Sequence, residues 1–275
     1  MSEDEIIVMV IAMGFGITSA LSTRISSLPP AITRGNPGIG LMRLAVAASL
    51  IWAAVVMHFF GDDSIRGIYV VFYLIMAYAV AKFFGQILGA LIFGLHFRSD
   101  VFERKNLAAA VFIAGFILAT GIIFGGSLWG EADPVGNDEG GWWIPMGFFL
   151  MGWAILVAAT SVFLWREPGR FRRQIRQERD TAMALSTAVY MISSAFIIIE
   201  GVAGDFWGWR HGLLGMGTIA VMLVGHEIFV TVTGAGDRPG ETPVVRRFLE
   251  RCFYIGLAVG TWSLNRLINM TLGGG

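Results

Sequence analysis

Apolar residues fall into eight runs separated by short polar stretches: about 6–21, 41–61, 68–95, 107–129, 142–165, 181–203, 212–233 and 248–272. Each run is near the length, about 20 residues at 1.5 Å rise, that carries a helix across the hydrocarbon core of a bilayer. The pattern predicts an all-α polytopic transmembrane bundle of about eight spans. The first run follows Met1-Ser2-Glu3-Asp4-Glu5, which lacks the basic start of a signal peptide, so it is read as a retained helix. The last run is interrupted by Asn265, Arg266 and Asn269, which leaves an amphipathic helix lying in the interface as the alternative to a span.

Composition narrows the function classes. Of 275 residues, 55% are hydrophobic and 15% charged, with a mean hydropathy of +0.68. Soluble domains carry about a quarter charged residues, so soluble enzymes, secreted disulfide scaffolds and disordered regulators are excluded. One cysteine, Cys252, excludes an intrachain disulfide framework and a multi-cysteine metal site. The net charge of zero hides a strong segregation. Loops after odd-numbered runs carry sixteen basic residues: Arg24, Arg34, Arg43, Arg98, Arg104, Lys105, Arg166, Arg170, Arg172, Arg173, Arg176, Arg179, Arg238, Arg246, Arg247 and Arg251. Even-numbered loops and the N-terminal tail hold only Arg66 and Arg210, with ten acids that include Glu3, Asp4, Glu5, Asp62 and Asp63. Basic residues in short loops stay on the cytoplasmic side, which predicts both termini outside. Trp129, Trp142, Trp143, Trp207 and Trp209 cluster at the predicted outer ends and Trp165 at an inner one, as interfacial anchors.

Runs 3–4 and 5–6 read as two copies of one hairpin. The second helix of one opens Glu103-Arg104-Lys105-Asn106-Leu107-Ala108-Ala109-Ala110, and that of the other Gln177-Glu178-Arg179-Asp180-Thr181-Ala182-Met183-Ala184. Aligning Asn106 on Asp180 pairs Ala108 with Ala182, Ala110 with Ala184, Ala114 with Ala188 and Ile123 with Ile197. Asn and Asp are good N-caps, and alanines four apart leave a smooth face for a neighbouring helix. Both hairpins run in the same sense, a parallel repeat. In this motif the chain resembles the YjfL-type bacterial inner-membrane proteins over about residues 68–205, with Asp180 in place of the usual second asparagine and Val189 where glycine is favoured. The resemblance implies a bacterial inner-membrane location and an association with membrane-stress or remodelling systems; it transfers no catalytic residue. Three parts follow: a two-span extension (1–67), a duplicated four-span core (68–205) and a second two-span extension (206–275).

Ionisable groups at membrane depth are functional candidates by default. Five stand out: Lys82, Glu200, His226, Glu227 and Arg266. Counting rise per residue puts Lys82, His226 and Glu227 about 21–23 Å below the outer face, and Glu200 and Arg266 in the outer part. Lys82–Glu227 and Glu200–Arg266 are then expected as ion pairs that pin helices, with a proton or ion path through Lys82, His226 and Glu227 as the alternative. His58 and His211 lie at outer helix ends at similar depth, the arrangement bis-histidine haem ligation would use, although histidines at helix ends are more often interfacial; His96 falls at an inner end. Clustered Cys/His spacing for zinc is lacking.

Gly85-x-x-x-Gly89, Gly121-x-x-x-Gly125 and Gly256-x-x-x-Gly260 each permit close helix contact. The stretch Arg166-Glu167-Pro168-Gly169-Arg170-Phe171-Arg172-Arg173-Gln174-Ile175-Arg176 reads as a topology signal that meets anionic lipid rather than nucleic acid. No phosphate-cradling loop, nucleophile elbow or HExxH pattern is present, and the extramembrane segments are too short for a catalytic domain. The expectation is therefore a non-enzymatic inner-membrane scaffold or subunit, homo- or hetero-oligomeric, in contact with membrane lipids and without a cofactor or nucleic-acid partner. A proton or ion channel or transporter is the second reading and a haem-binding electron carrier the third.

Overall fold

The structure, a computed structural model, describes residues 3–24, 35–130, 142–165 and 171–203, and in the C-terminal part 217, 219–226, 228–229, 232, 249, 251–261 and 263–264. Six long helices run through the first four stretches: α1 (Glu3–Arg24), α2 (Pro37–Phe59), α3 (Ile68–Ile92), α4 (Leu107–Gly126), α5 (Trp143–Trp165) and α6 (Thr181–Val202). Residues 219–226 and 251–261 are helical as well. The described residues contain no strand; one isolated bridge joins Gly61 to Gly130. Five helices, α2 to α6, are long and apolar enough to cross a membrane, as expected of a membrane protein. The last two predicted spans fall only in part within the described residues.

Helix α2 begins at Pro37, earlier than the apolar run alone indicates. Asn36 caps it, its side chain accepting from the Gly38 N–H, and Pro37 occupies the first turn where its missing donor costs nothing. Arg43, read from the sequence as a loop residue, therefore lies within the second turn of a membrane helix.

Helix α4 sits at the centre. Its apolar window is 83% buried, against 39% for α2 and for α5, so its lack of a polar face reflects protein on every side. It packs along α2 and α6 through small residues. A Cβ on Gly38 of α2 would lie 2.6 Å from the Ala110 Cβ, and one on Gly115 of α4 2.5 Å from the Ala188 Cβ. Further along, Gly121 meets Ser49, Gly125 meets Trp52 and Gly126 meets Ile199. Low positions meet low and high positions meet high, so α2, α4 and α6 are parallel. Van der Waals packing between close backbones drives such association where lipid offers no hydrophobic gain.

The odd helices pack around this row. Phe15 of α1 lies 4.9 Å from Phe83 of α3, and Phe149 of α5 lies between Phe84 and Phe124 at 5.2 and 5.6 Å. The acidic start of α1 is tied down: Tyr69 Oη donates to Glu5 and Trp142 Nε1 to Asp4, each at 3.2 Å. Nearby Phe60 stacks on Trp129 at 3.9 Å, and the Gly130 N–H donates to the Phe60 carbonyl. This is the acidic end of the bundle. The capped starts of α2, α4 and α6 lie at the other, basic end.

Candidate functional site

At the basic end, α4 and α6 are each preceded by a short π-helical turn, Phe97–Glu103 and Gln174–Glu178. Each turn is followed by a basic residue at positive φ, Lys105 (φ 49°) and Arg179 (φ 56°), directly before the N-cap. The Asn106 N–H closes on the Asp100 carbonyl and the Asp180 N–H on the Gln174 carbonyl, both at 3.0 Å. Thus the geometry at 100–110 recurs 74 residues later, in the register that aligns Asn106 with Asp180. The start of α2 repeats part of it: Gly35, at φ 73°, precedes the N-cap Asn36. A left-handed residue followed by a capping side chain therefore opens all three central helices.

The caps also tie the chain together. Asn36 Nδ2 donates to the Val101 carbonyl at 2.7 Å, and Asn106 Nδ2 donates to the Ile175 carbonyl at 2.7 Å. Val101 and Ile175 hold equivalent places in the two π turns. Each amide thus satisfies one orphan donor of its own helix with its oxygen and reaches the following turn with its nitrogen. Between them lies Asp100, fully buried. It accepts from Arg176 Nε at 3.1 Å, from Arg104 Nη1 at 3.5 Å and from the His96 N–H at 2.9 Å. A buried carboxylate is tolerated where guanidinium and backbone donors meet it. Gln174 stands in the equivalent place, buried, its Oε1 without a partner among the described residues.

A second constellation lies within the span region. His226 is buried, with the rings of Tyr254, Phe163 and Tyr190 at 4.8, 5.3 and 6.1 Å. Those rings come from residues 251–261, α5 and α6. Tyr190 stacks on Phe163 at 4.3 Å and donates its hydroxyl to the Ala159 carbonyl at 3.3 Å. The neighbouring Thr160 hydroxyl is buried and has no partner among the described residues. Toward the basic end, Arg251 donates to Ser186 Oγ at 3.2 Å and to the Ala182 carbonyl at 3.0 Å.

The remaining candidates are dispersed. Lys82 lies in a π-helical stretch of α3, Ala81–Leu88, and donates to Gln86 Oε1 at 2.7 Å. Glu200 is half-buried in the last turn of α6. Glu227 and Arg266 lie outside the described residues, as does His211, so neither expected ion pair nor the expected histidine pair has both members described. His58 is exposed, its ring 4.6 Å from that of Phe59, and His96 is exposed beside Asp100. Among the described residues no three His, Cys, Asp or Glu side chains gather as a metal site. Of the glycine pairs, Gly85 and Gly89 pack on Ile117 and Phe116, and Gly121 and Gly125 on α2, whereas Gly256 and Gly260 have open space beside them.

Sequence reasoning missed Asp100 and Asn36. Asn36 carries a legible signal, Gly35-Asn36-Pro37, a left-handed position followed by a cap and a first-turn proline. Asp100 carries none, because only the fold brings Arg176 to it.

The model of a family described as a domain of unknown function (DUF350) matches residues 141–238, about a third of the chain. No curated protein and no solved structure matches.

Proposed function

We propose that this chain is a non-enzymatic component of a bacterial inner membrane, a scaffold or subunit of a larger assembly, built from repeated helical hairpins. Its basic end faces the cytoplasm and both termini the periplasm. The observation that carries this reading is the use made of the buried polar groups at the basic end. Asn36, Asn106, Asp100 and Arg176 all spend their hydrogen bonds on neighbouring elements, the pattern of residues that lock a framework. Affinity purification of the full chain from native membranes after cross-linking tests it. Recovery of a defined set of membrane proteins or of a discrete homo-oligomer is expected. A monodisperse monomer without partners overturns it.

A second reading, a proton path through the C-terminal half, is favoured by one comparison. At the five positions where α4 buries Phe112, Ile113, Phe116, Ala119 and Thr120, α6 buries Ser186, Thr187, Tyr190, Ser193 and Ser194, 74 residues later. Helix α6 is thus the polar counterpart of α4, and its hydroxyl stripe passes His226. Proton flux into liposomes that falls on His226→Phe supports this path; flux equal to that of empty liposomes removes it.

A further inference from the structure

Arg43 of α2 and Lys82 of α3 are cations on two helices that pack together, and neither has a carboxylate partner among the described residues. Helix α2 packs against the π-helical stretch that carries Lys82, and the charge of Arg43 acts on Lys82. Arg43 lies seven residues beyond the Asn36 cap, about 10 Å of rise, and Lys82 ten residues before the end of α3, about 15 Å. Both helix ends lie at the basic end. Long cationic side chains extend their heads toward that interface, so both heads are directed to the same leaflet. Among the described residues Lys82 meets only the neutral Gln86, and Arg43 meets no carboxylate. An unneutralised charge at this depth costs several kcal/mol.

The pair is not required by the architecture. Seventy residues beyond Arg43, at the matching distance from its cap, α4 has Ile113, and 74 further α6 has Thr187; the counterpart of Lys82 in α5 is Leu156. All three are buried. The α3–α5 register rests on contacts, since Gly89 packs under Phe116 as Phe163 stacks on Tyr190. Helix α2 ends the central row, and Arg43 stands on a face otherwise made of Leu44, Ala47 and Ile51, all exposed. Such a face in a membrane helix meets lipid.

We propose that Arg43 and Lys82 together hold the phosphate of an anionic phospholipid from the leaflet at the basic end of the bundle. The guanidinium offers a planar fork for two phosphate oxygens and the ammonium a point charge beside it. The acyl chains lie along Leu44, Ala47 and Ile51, and Gln86 fixes the lysine head. A zwitterionic lipid brings its own cation to the site and is held less well.

Native mass spectrometry of the full chain, released from nanodiscs of mixed phosphatidylglycerol and phosphatidylcholine, tests the site. Selective retention of phosphatidylglycerol is expected. Arg43→Gln and Lys82→Gln should each lower it about fivefold, the equivalent of about 1 kcal/mol per basic residue near an anionic surface. Arg43→Lys should keep most of it, and Arg66→Gln, an exposed arginine at the acidic end, should keep all of it. Equal loss in Arg66→Gln, or no loss in Arg43→Gln, overturns the proposal. So does displacement of the lipid by millimolar inorganic phosphate, which marks a site for the free anion. Arg43 is exposed, so its variants fold even where Lys82→Gln does not. If Glu227→Gln restores the melting temperature lost in Lys82→Gln, the counter-ion is Glu227 and the lipid assignment falls.

Discussion

Asn106 donates its side-chain amide to the Ile175 carbonyl at 2.7 Å while its oxygen accepts from the Ala109 N–H at 3.2 Å. Asn36 does the same between Val101 and Gly38. Asparagine is the side chain that performs both tasks, since a carboxylate caps a helix but has no donor. The two bonds join successive π turns into one lattice at the basic end.

Asn106→Asp separates cap from tie. The aspartate still accepts from Ala109, and its charge suits the helix N-terminus, but it faces the Ile175 carbonyl with no proton to offer. Leaving a buried acceptor unpaired costs about 1–3 kcal/mol, a shift of several degrees in melting temperature. Asn36→Asp should behave alike. Unchanged melting of both variants in detergent would mean that the tie carries no weight.

Asp100 and Arg176 call for a double-mutant cycle. Asp100→Leu leaves two guanidinium groups without their shared acceptor, and Arg176→Met leaves the buried carboxylate to Arg104, whose contact is longer at 3.5 Å. Breaking a buried pair from one side costs about 3–5 kcal/mol, whereas replacing both partners by apolar groups is often near neutral. The double variant should therefore melt above Asp100→Leu. Strictly additive losses would show that the pair is uncoupled.

The sequence made the helices legible because each membrane helix is long, apolar and bounded by charge. The described helices α2 to α6 fall within four residues of the predicted ends. Caps at Asn106 and Asp180 were legible for the same local reason, residue type followed by a small-residue helix. What escaped was non-local. Asp100 is one acid in a basic loop until Arg176, 76 residues away, meets it. Position 36 lies outside the apolar run, which starts four residues after Pro37, and Arg43, although inside that run, reads by its charge as part of the preceding loop. The polar stripe of α6 is visible in the letters, but its meaning depends on knowing that Phe116 and Tyr190 hold equivalent places.

Helix contact at the basic end has little room to spare. Ala110 is fully buried against Gly38, and a leucine there must push α2 away. Overpacking costs about 1–3 kcal/mol, so Ala110→Leu should melt several degrees lower. Ala184→Leu, at the equivalent place in α6 and also fully buried, should do the same. Ala154 on α5 is exposed, and Ala154→Leu should leave melting unchanged. Equal tolerance at all three positions would remove the small-residue faces from the account of packing.

Orientation is tested by cysteine labelling in a Cys252→Ser background, because Cys252 is exposed and would itself react. Position 174 is a poor probe, since Gln174 is buried beneath the π turn. Lys105 is exposed at the basic end and Asp63 is exposed at the acidic end. The sixteen-to-two distribution of basic residues between loop sets places the basic end in the cytoplasm. A membrane-impermeant maleimide should therefore label Asp63→Cys in whole cells with a permeabilised outer membrane. It should label Lys105→Cys only in inverted inner-membrane vesicles. Reversed labelling would turn the bundle over and move the Arg43–Lys82 site to the outer leaflet. Labelling of both positions from one side would break the alternation of spans itself, because α3 is the helix that carries the chain from Asp63 to Lys105 and it must cross to separate them.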